Sequence, residues 1–509
     1  MIEESGQQAS LAASLGNWLH EVLAPGAALV ADSRAVRPGD AFVAWPGASH
    51  DGRDYIGQAI ARGAAAVLYE ADSAVSTGSV ASRAVSGLKA LAGPIAAEYY
   101  GCPSERLEIV AVTGTNGKTS CTQWIARGLA QAGRRAAVIG TLGSGIVPAT
   151  DAPVALDAFG LTTPDAVALQ RMLAAFADAG VEVVAMEASS IGLDQHRLDG
   201  TRIGIAVFTN LSRDHLDYHG TEEAYLEAKR RLFASPDLRV AIVNGDDPVA
   251  ATILDALPET VQTVSFGQLP GEHGWRARRK LSAFEIVEER DGTRVSVGGD
   301  WGRAQVRLRL IGQFNVVNAM AVAAVWLGLG MPFDEAMQRL EALRPLPGRM
   351  EQIDVDDGPL VVVDYAHSPD ALLNVLQALR PISDVRGGAL WCVFGAGGDR
   401  DAGKRPIMGM VAERFADRVV VTSDNPRSET PFRIVSDIRA GFTREPWLTE
   451  LDREQAIHRA LDAASADDVV LIAGKGHEAW QEIAGQRLPF SDVEVARRLL
   501  ARRAETARV

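Results

Sequence analysis

The stretch Val110–Ser120 reads VAVTGTNGKTS and decides the fold of the chain around it. The run Val110–Thr113 predicts a buried strand, and the residues after Lys118 predict a helix. Glycines between the two let backbone N–H groups surround a phosphate, while a lysine and a threonine supply charge and a hydroxyl for Mg²⁺. Only two residues separate Gly114 from Gly117, which departs from the general GxxxxGK[ST] spacing. A plain glycine turn is the alternative, and the adjacent Lys-Thr pair argues against it.

Short apolar runs alternate with helix-length segments on both sides of this loop. Such runs predict buried parallel strands joined by helices, and therefore an α/β fold with parallel sheets. The predicted strands lie in Leu107–Thr113, Arg135–Gly140, Val181–Met186, Ile205–Asn210, Val240–Asn244, Leu360–Asp364, Ala389–Phe394, Arg418–Thr422 and Asp468–Ala473.

Turn-rich stretches divide the 509 residues into three predicted domains. GCPSE at Gly101–Glu105 and PLPG at Pro345–Gly348 give an N-terminal domain (1–104), a central domain (105–344) and a C-terminal domain (345–509). Polar and apolar residues alternate over Ala277–Leu310, which predicts a small antiparallel insertion. A buried helix is expected from Ile311 onward.

Composition excludes several classes of protein. The chain has 65 Asp and Glu against 51 Lys and Arg, a net charge of −14, so a nucleic-acid binder is not expected. Its three cysteines are far apart and show no CxxC spacing, which favours neither disulfides nor a zinc site. The N-terminus lacks a basic region followed by an apolar stretch, so a cytoplasmic protein is expected. The uncharged segment 311–333 contains polar residues and is predicted as a buried helix rather than a membrane span.

Ligand-type side chains follow two of the central strands. Glu187, in MEASS, comes at the end of a strand, where ligands bind in open α/β sheets. The stretch Phe208–His219 (FTNLSRDHLDYH) concentrates aspartates and histidines, with zinc as the weaker alternative to Mg²⁺. By its own residues, Lys229 in EEAYLEAKRRLF reads as a solvated surface lysine.

Four polar loops in the last third each follow a predicted strand. Loops at one edge of a parallel sheet share a crevice, so they are expected to form one binding site with cations such as Arg400, Arg427 and Lys475. The loops are DYAHSPD (364–370), FGAGGDRDAGKR (394–405), DNPRSE (424–429) and GKGHE (474–478).

The set of motifs resembles the Mur ligases, in particular the branch that adds the third residue of the peptidoglycan stem peptide. The resemblance runs from DSR (32–34) to Glu478 through TGTNGKTS, MEASS, FTNLSRDHLDYHG, GQFNVVNA, LPGRME, DYAHSPDAL, GAGGDRDAGKR, DNPRSE and GKGHE. It implies an N-terminal domain for the UDP end of the substrate, a central P-loop domain for ATP, and a Rossmann-like C-terminal domain for the incoming amino acid.

The resemblance also implies roles for individual residues. For the UDP substrate these are Ala31, Ser33, Ala48, Ser49, His50, Thr162, Thr163, Ser189, Gln195 and Arg197. For ATP they are Gly114, Thr115, Asn116, Gly117, Lys118, Thr119, Asn315, Asn318, Arg349 and Asp364. The implied metal ligands and catalytic groups are Lys118, Thr119, Glu187, His215 and Lys229, the last as a carbamate able to hold a second Mg²⁺.

The DNPR loop bears on which amino acid is added. In the family this loop resembles the type that takes meso-diaminopimelate, whose distal carboxylate a planar arginine fork can pair with. The implied contacts are Arg400, Asp424, Asn425, Pro426, Arg427, Gly474 and Glu478. The implied partners are UDP-N-acetylmuramoyl-L-alanyl-D-glutamate, meso-diaminopimelate and ATP, bound by a monomer. Three alternatives stay open: an L-lysine-adding ligase, a folylpolyglutamate synthase-like ligase, and a nucleotide-switched binding protein.

Overall fold

The structure is a computed structural model that describes residues 2–47, 50–72, 75–150, 152–268, 276–289, 292–353 and 358–507. Within these residues the strands form three large sheets in chain order and one small hairpin. Among the same residues, no helix is both long and apolar enough to cross a bilayer.

The first sheet has four parallel strands in sequential order. Apolar side chains of the first and third helices, such as Leu19 and Ile95, pack together with one face of this sheet. The elements are α1 (Ile2–Val22), β1 (Leu29–Val30), β2 (Ala41–Ala44), α2 (Ile56–Ala61), β3 (Ala66–Glu70), β4 (Ala81–Val85) and α3 (Leu88–Tyr99).

The second sheet has ten strands and contains the glycine loop. Its elements are β5 (Glu108–Thr113), α4 (Lys118–Gln131), β6 (Ala136–Gly140), β7 (Gly143–Ile146), α5 (Ala166–Asp178), β8 (Val183–Glu187), α6 (Ser190–Asp194), β9 (Ile205–Phe208), α7 (Leu216–His219), α8 (Glu222–Arg230), β10 (Val240–Asn244), α9 (Ala250–Asp255), β11 (Gln262–Gly267), β12 (Arg279–Glu289), β13 (Gly292–Gly299), β14 (Gly302–Leu308), α10 (Gln313–Gly328) and α11 (Phe333–Glu341).

The strand order of this sheet is β14-β13-β12-β11-β10-β9-β5-β8-β6-β7. In this spatial order, every neighbouring pair between β12 and β6 is parallel. The strands at the two ends are antiparallel to their neighbours: β13 and β14 at one end and β7 at the other. The predicted antiparallel segment is therefore confirmed, and it extends the main sheet. The predicted helix after Ile311 is confirmed as α10, where Trp326 is buried so closely against Gly128 of α4 that a Cβ on this glycine would collide with the ring.

The third sheet has six strands in the order β15-β16-β20-β17-β18-β19, parallel except for β15. The elements are β15 (Glu351–Ile353), β16 (Leu360–Asp364), α12 (Pro369–Arg386), β17 (Leu390–Phe394), α13 (Lys404–Phe415), β18 (Arg418–Val421), α14 (Pro431–Arg439), β19 (Leu448–Thr449), α15 (Arg453–Ala463), β20 (Val469–Ala473), the hairpin β21 (Trp480–Ile483) and β22 (Gln486–Pro489), and α16 (Asp492–Ala507).

Each predicted strand run overlaps a strand of the second or third sheet, so the predicted α/β class is confirmed. The proposed domain boundaries at 104/105 and 344/345 fall in connections between successive sheets.

Candidate active site

Three adjacent central strands bring the first group of candidate residues together. β5 lies between β8 and β9, and all three run parallel. Their carboxyl ends therefore place the glycine loop, Glu187 and the segment after Phe208 at one edge of the sheet, as expected for a ligand site in an open α/β sheet.

The glycine loop holds its lysine close to its own backbone. Lys118 begins α4, and its Nζ donates to the carbonyl oxygens of Gly114 and Thr115, each at 2.8 Å. Gly114 and Gly117 have φ of 145° and 85°, and neither has room for a Cβ, because Thr209 and Asn318 press against them. The loop thus needs glycine for both conformation and space.

Glu187 is a buried carboxylate that accepts three hydrogen bonds from two threonines. The Thr119 hydroxyl donates to Oε1 at 3.0 Å, the Thr141 N–H donates to Oε1 at 2.8 Å, and the Thr141 hydroxyl donates to Oε2 at 3.1 Å. Arg349 from the segment before β15 donates to the Thr119 hydroxyl at 3.2 Å. The candidate metal ligands Thr119 and Glu187 are therefore in direct contact.

His215 and Asp214 form the wall that faces the third sheet. Burial lowers the pKa of His215 to about 4, although the Asp214 carboxylate opposes this effect, so the imidazole is neutral near pH 7 and free to act as a ligand. Asp214 lies 3.7 Å from Nε2 of His367 and 3.9 Å from Nζ of Lys404. Burial alone would raise the pKa of Asp214, but His367, His215 and Lys404 together hold it far below its usual value.

Lys229 is buried, which makes the interpretation as a solvated surface lysine wrong. It is 1% exposed, and its Nζ lies 4.1 Å from the centroid of the Tyr225 ring. No carboxylate among the described residues lies within ion-pair distance of it. Burial first, and the positive charge of Lys118 second, hold the pKa of Lys229 well below its ordinary value, although Asp214 acts the other way. This lowered pKa favours the neutral, nucleophilic form of the amine.

These groups line one small cavity of about 120 Å³. Its lining includes the Glu187 and Asp214 carboxylates and several hydroxyl groups, and oxygen ligands of this kind suit Mg²⁺. No group of three or more His, Cys, Asp or Glu side chains in the described ranges is arranged to hold a metal ion. His219, from the same histidine-rich segment as His215, contacts the Ser190 hydroxyl at 3.0 Å. The lining includes Lys118, Thr119, Thr141, Thr162, Glu187, Ser189, Asp214, His215, Tyr225, Lys229, Arg349 and His367.

A larger cavity of about 680 Å³ lies on the other side of the glycine loop, between the second and third sheets. Its volume is in the range of sites for small organic ligands. Asp364 accepts from the Met350 N–H at 2.7 Å, and the Arg349 guanidinium stacks 4.5 Å from the Tyr365 ring centroid. The cavity brings together Asn116, Gly117, Asn315, Asn318, Arg349 and Asp364 from the predicted ATP set.

The predicted muramoyl-side residues lie beyond Glu187. The Thr163 hydroxyl donates to the Glu187 carbonyl at 2.8 Å and lies 3.0 Å from the Ser189 hydroxyl. Arg197 donates to the Thr163 carbonyl and to Gln195 Oε1, each at 2.6 Å. Thr162 lies 3.2 Å from the Thr141 hydroxyl, so this group connects directly to the small cavity.

The predicted uridine residues are less clearly grouped. The Ser33 hydroxyl is buried and donates to Gln58 at 2.7 Å, whereas His50 is exposed. Ala48 and Ser49 lie outside the described residues. The first sheet also borders a cavity of about 630 Å³, but Ala31, Ser33 and His50 are not among its lining residues, which include Arg37, Asp40 and Arg171.

The predicted amino-acid residues converge at the carboxyl ends of β18 and β20, with one exception. Glu478 Oε2 accepts from Asn425 Nδ2 at 2.7 Å and from the buried Lys475 Nζ at 2.9 Å. Asp424 Oδ2 is buried and has no hydrogen-bond partner among the described residues, and it faces Gly474. Arg400 is exposed and contacts the Asp399 carbonyl rather than this group.

Several contacting residues were absent from the predicted site. Thr141, Tyr225, His367 and Lys404 all border the small cavity or Asp214. His367 lies in the DYAHSPD loop and Lys404 in the GDRDAGKR loop, so the strand-end rule points to their segments. Thr141 follows β6 without a motif, and only the strand order reveals that it meets Glu187.

One wholly buried ion pair ties together the strands that carry the amino-acid loops. Arg453 forms a bidentate pair with Asp492, with both distances 2.7 Å, and both side chains are 0% exposed. The same guanidinium donates to the Ser423 carbonyl at 3.2 Å and the Ala473 carbonyl at 2.9 Å. Burial would lower the pKa of Arg453, but Asp492 raises it above its ordinary value.

We expect Asp492→Asn to destabilise the third sheet by about 3–5 kcal/mol, because it leaves a buried guanidinium without its counter-ion. Native-state hydrogen exchange of the β18 and β20 amides measures this change locally. The matched control is Glu494→Gln, an exposed position two residues further along α16, which should change the same free energies by less than about 0.5 kcal/mol. Equal protection in both variants would show that the pair does not support these strands.

Comparisons with known proteins agree with this geometry. Family models match at residues 27–96 (Mur ligase family, catalytic domain), 112–326 (Mur ligase middle domain) and 348–476 (Mur ligase, glutamate ligase domain). Two curated relatives are named UDP-N-acetylmuramoyl-L-alanyl-D-glutamate--2,6-diaminopimelate ligase. The protein from Acidovorax sp. (strain JS42) is 48% identical over 96% of this chain and 97% of its own length. The protein from Ralstonia nicotianae is 48% identical over 99% of both.

A solved structure with the same ligase name is 36% identical, with a TM-score of 0.64, and the alignment covers 94% of this chain and 95% of that one. Matches of this identity and coverage extend across all three sheets and the cavities that they border. The resemblance seen in the motifs is therefore confirmed, and the chain belongs to the Mur ligase family.

Proposed function

We propose that this chain is an ATP-dependent, ADP-forming ligase of peptidoglycan precursor synthesis. It joins meso-diaminopimelate to the D-glutamate γ-carboxylate of UDP-N-acetylmuramoyl-L-alanyl-D-glutamate. The observation that carries the proposal is the continuity of the site: the small cavity around Lys118 and Glu187 borders the muramoyl-side residues, and the DNPR loop lies on the facing sheet. The name shared by relatives along the full length supports the same activity.

ATP occupies the larger cavity in this proposal. Asn315 and Asn318 lie on the adenine side, Asp364 serves the ribose, and Gly114–Thr119 with Arg349 holds the phosphates. The γ-phosphate then enters the small cavity, since Asn116, Gly117 and Arg349 border both spaces. Uracil binds the N-terminal domain near Ala31, Ser33 and His50.

The residues of the small cavity fit Mg²⁺. Thr119, Glu187 and His215 would hold one ion, and the carbamate of Lys229 would hold a second. When bound, the metal supplies positive charge that neutralises the phosphoryl oxygens during transfer.

The proposed reaction has two steps. The γ-carboxylate of D-glutamate attacks the γ-phosphorus of ATP, the bond to the β-phosphate oxygen breaks, and an acyl phosphate and ADP form. The amine of diaminopimelate then attacks the acyl carbon, the new C–N bond replaces the bond to phosphate, and the amine loses a proton. Lys118 and Arg349 stabilise the negative charge on the phosphoryl group while it is transferred.

Water must be kept away from the acyl phosphate, which it would hydrolyse. Asp214 of the central domain lies near His367 and Lys404 of the C-terminal domain, and Arg213 lies 3.5 Å from Asp401. These contacts close the cleft on the side of the third sheet. Movement of the C-terminal domain about the segment near residue 346 would open it for substrate entry.

Recognition of the amino acid falls to the C-terminal loops. The unpartnered Asp424 Oδ2 and the nearby Asn425 and Glu478 suit the distal amine, while Arg427 pairs with the distal carboxylate. Arg400 serves the other end of the molecule. Since each of these groups comes from one chain, the proposal includes a monomer with domains 1–104, 105–344 and 345–509, acting in the cytoplasm where ATP is supplied.

Phosphate release with and without the two other substrates tests this function. Release should require both UDP-N-acetylmuramoyl-L-alanyl-D-glutamate and meso-diaminopimelate, and mass spectrometry should find the UDP-linked tripeptide. Equal use of L-lysine would indicate an L-lysine-adding ligase, use of a folate acceptor a folylpolyglutamate synthase-like ligase, and hydrolysis without an amine acceptor a nucleotide switch.

We expect Lys229 to be carbamylated in the active enzyme. Its lowered pKa favours the neutral amine, whose nitrogen attacks CO₂, forms an N–C bond and releases one proton. The resulting anion suits the cavity, where an ammonium would repel a metal ion. Carbon NMR after exchange into isotopically labelled bicarbonate should show one carbamate signal that Lys229→Met lacks and Lys280→Met, at an exposed lysine, retains. Full activity with no such signal would refute the assignment.

A further inference from the structure

The hairpin β21–β22 follows the GKGHE loop and lies outside the six-stranded sheet. No motif or predicted role falls on it, and all of β22 is exposed. Its first strand nevertheless runs directly beside the DNPR loop, where an isolated parallel bridge joins Arg427 to Ile483.

The hairpin holds the backbone of Arg427 on both sides. The Arg427 N–H donates to the Glu482 carbonyl at 3.0 Å, and the Ala484 N–H donates to the Arg427 carbonyl at 2.7 Å. Arg427 has a φ of 53°, in the left-handed region that a residue with a side chain rarely adopts. Two hydrogen bonds with the hairpin, one to β21 and one to the turn after it, explain how this conformation persists.

Side chains extend the same support along the loop. Gln481 Nε2 donates to the Asp424 carbonyl at 2.6 Å and to the Ser423 hydroxyl at 3.2 Å. Asn425 Oδ1 accepts from the Glu482 N–H at 2.9 Å. The hairpin therefore contacts the residues that precede Arg427 as well as Arg427 itself.

The guanidinium of Arg427 is also partly engaged. Its Nη1 donates to the Gly398 carbonyl at 2.6 Å, and its Nε lies 3.8 Å from the Glu482 carboxylate. Its Nη2 makes no hydrogen bond with any residue that the structure describes. One arm of the fork is thus left for an anionic ligand, in an orientation that the hairpin and Gly398 fix.

We propose that Gln481 is a positioning residue for substrate selectivity, acting through the DNPR loop on Arg427. This inference rests on the proposed function, because it takes the ligand of Arg427 to be the distal carboxylate of the incoming amino acid. Gln481 itself does not touch that substrate. Its side-chain amide holds the loop in the conformation that leaves Nη2 of Arg427 available to the ligand.

Gln481→Ala should lower kcat/KM for meso-diaminopimelate by roughly tenfold, since it removes a partly buried side-chain donor that holds the loop. KM for ATP and for the UDP substrate should stay unchanged, and so should the slow use of L-lysine, which has no distal carboxylate. Gln486→Ala, the same substitution on the exposed facing strand, is the control and should match wild type. Gln481→Met, which keeps the length of the side chain, serves if the alanine variant loses its fold.

A double mutant separates positioning from general damage. If Gln481 acts through Arg427, then Gln481→Ala added to Arg427→Ala should cost less than about twofold, because the shared interaction is already lost. An independent tenfold loss in that background, an equal loss with both amino acids, or undiminished selectivity for diaminopimelate in the single variant would overturn the inference. A wild-type enzyme that ligates neither amino acid would instead refute the proposed function.

Discussion

Lys118→Ala should lower turnover by about 10³-fold or more, because it removes the cation that the proposed mechanism places beside the transferring phosphoryl group. In the structure, Lys118 Nζ lies 2.8 Å from two carbonyl oxygens of the loop that would hold the phosphates. The amine is thus pre-positioned, and alanine cannot replace its charge. Steady-state phosphate release with all three substrates measures the loss.

The fold should survive this change. Lys118 begins α4, and alanine is a good helix former, so the thermal transition should move little. Lys280→Ala provides the matched control, since Lys280 is an exposed lysine on β12, far along the sheet from the glycine loop. Near-normal turnover in Lys118→Ala would remove the phosphate-loop assignment, whereas equal losses in both variants would point to a defect unrelated to the site.

Arg427→Ala should lower kcat/KM for meso-diaminopimelate by about 10²-fold or more, since losing one partner of a desolvated ion pair costs roughly 2–5 kcal/mol. The side chain is only partly exposed, and its Nη2 is unpaired within the described part of the chain. Alanine tolerates the φ of 53° no worse than arginine does, so the backbone should keep its conformation. KM for ATP and for the UDP substrate should change little.

The comparison with L-lysine makes this prediction specific. L-lysine lacks the distal carboxylate, so its use should be equally poor in wild type and in Arg427→Ala. Arg427→Lys should restore little, because an ammonium cannot reproduce the planar fork. Arg433→Ala, at an exposed arginine on α14, is the matched control. Equally efficient ligation of both amino acids by the wild-type enzyme would contradict the specificity, while the ligase assignment would stand.

The sequence predicted the positions of the strand-end loops well, because apolar runs of the right length specify parallel strands. Ligands of open α/β sheets bind at the carboxyl ends of such strands. Glu187 and the DNPR loop were found in this way. Lys229 was misread from its own residues, since a lysine in a charged helix is usually solvated. A signal existed: Tyr225, Lys229 and Leu232 repeat at helical spacing and share the buried face.

Other features depend on contacts that no local pattern encodes. The hairpin β21–β22 supports Arg427 through its register against a loop more than fifty residues earlier in the chain. Thr141 meets Glu187 only because β6 is placed beside β8. Such pairings follow from tertiary topology, which alternation of apolar and polar residues does not specify.

The larger cavity has a consequence for how the protein melts. Asn318 on α10, Asp364 at the end of β16 and Asp370 on α12 line it together, whereas no described residue that precedes β5 takes part. A nucleotide that fills the cavity binds only when the parts of the chain with the second and third sheets are both folded. Its binding free energy therefore stabilises both parts together against unfolding. In a calorimetric scan, saturating nucleotide should therefore merge and raise the transitions of the proposed domains 105–344 and 345–509, while the transition of the proposed domain 1–104 stays at its original temperature.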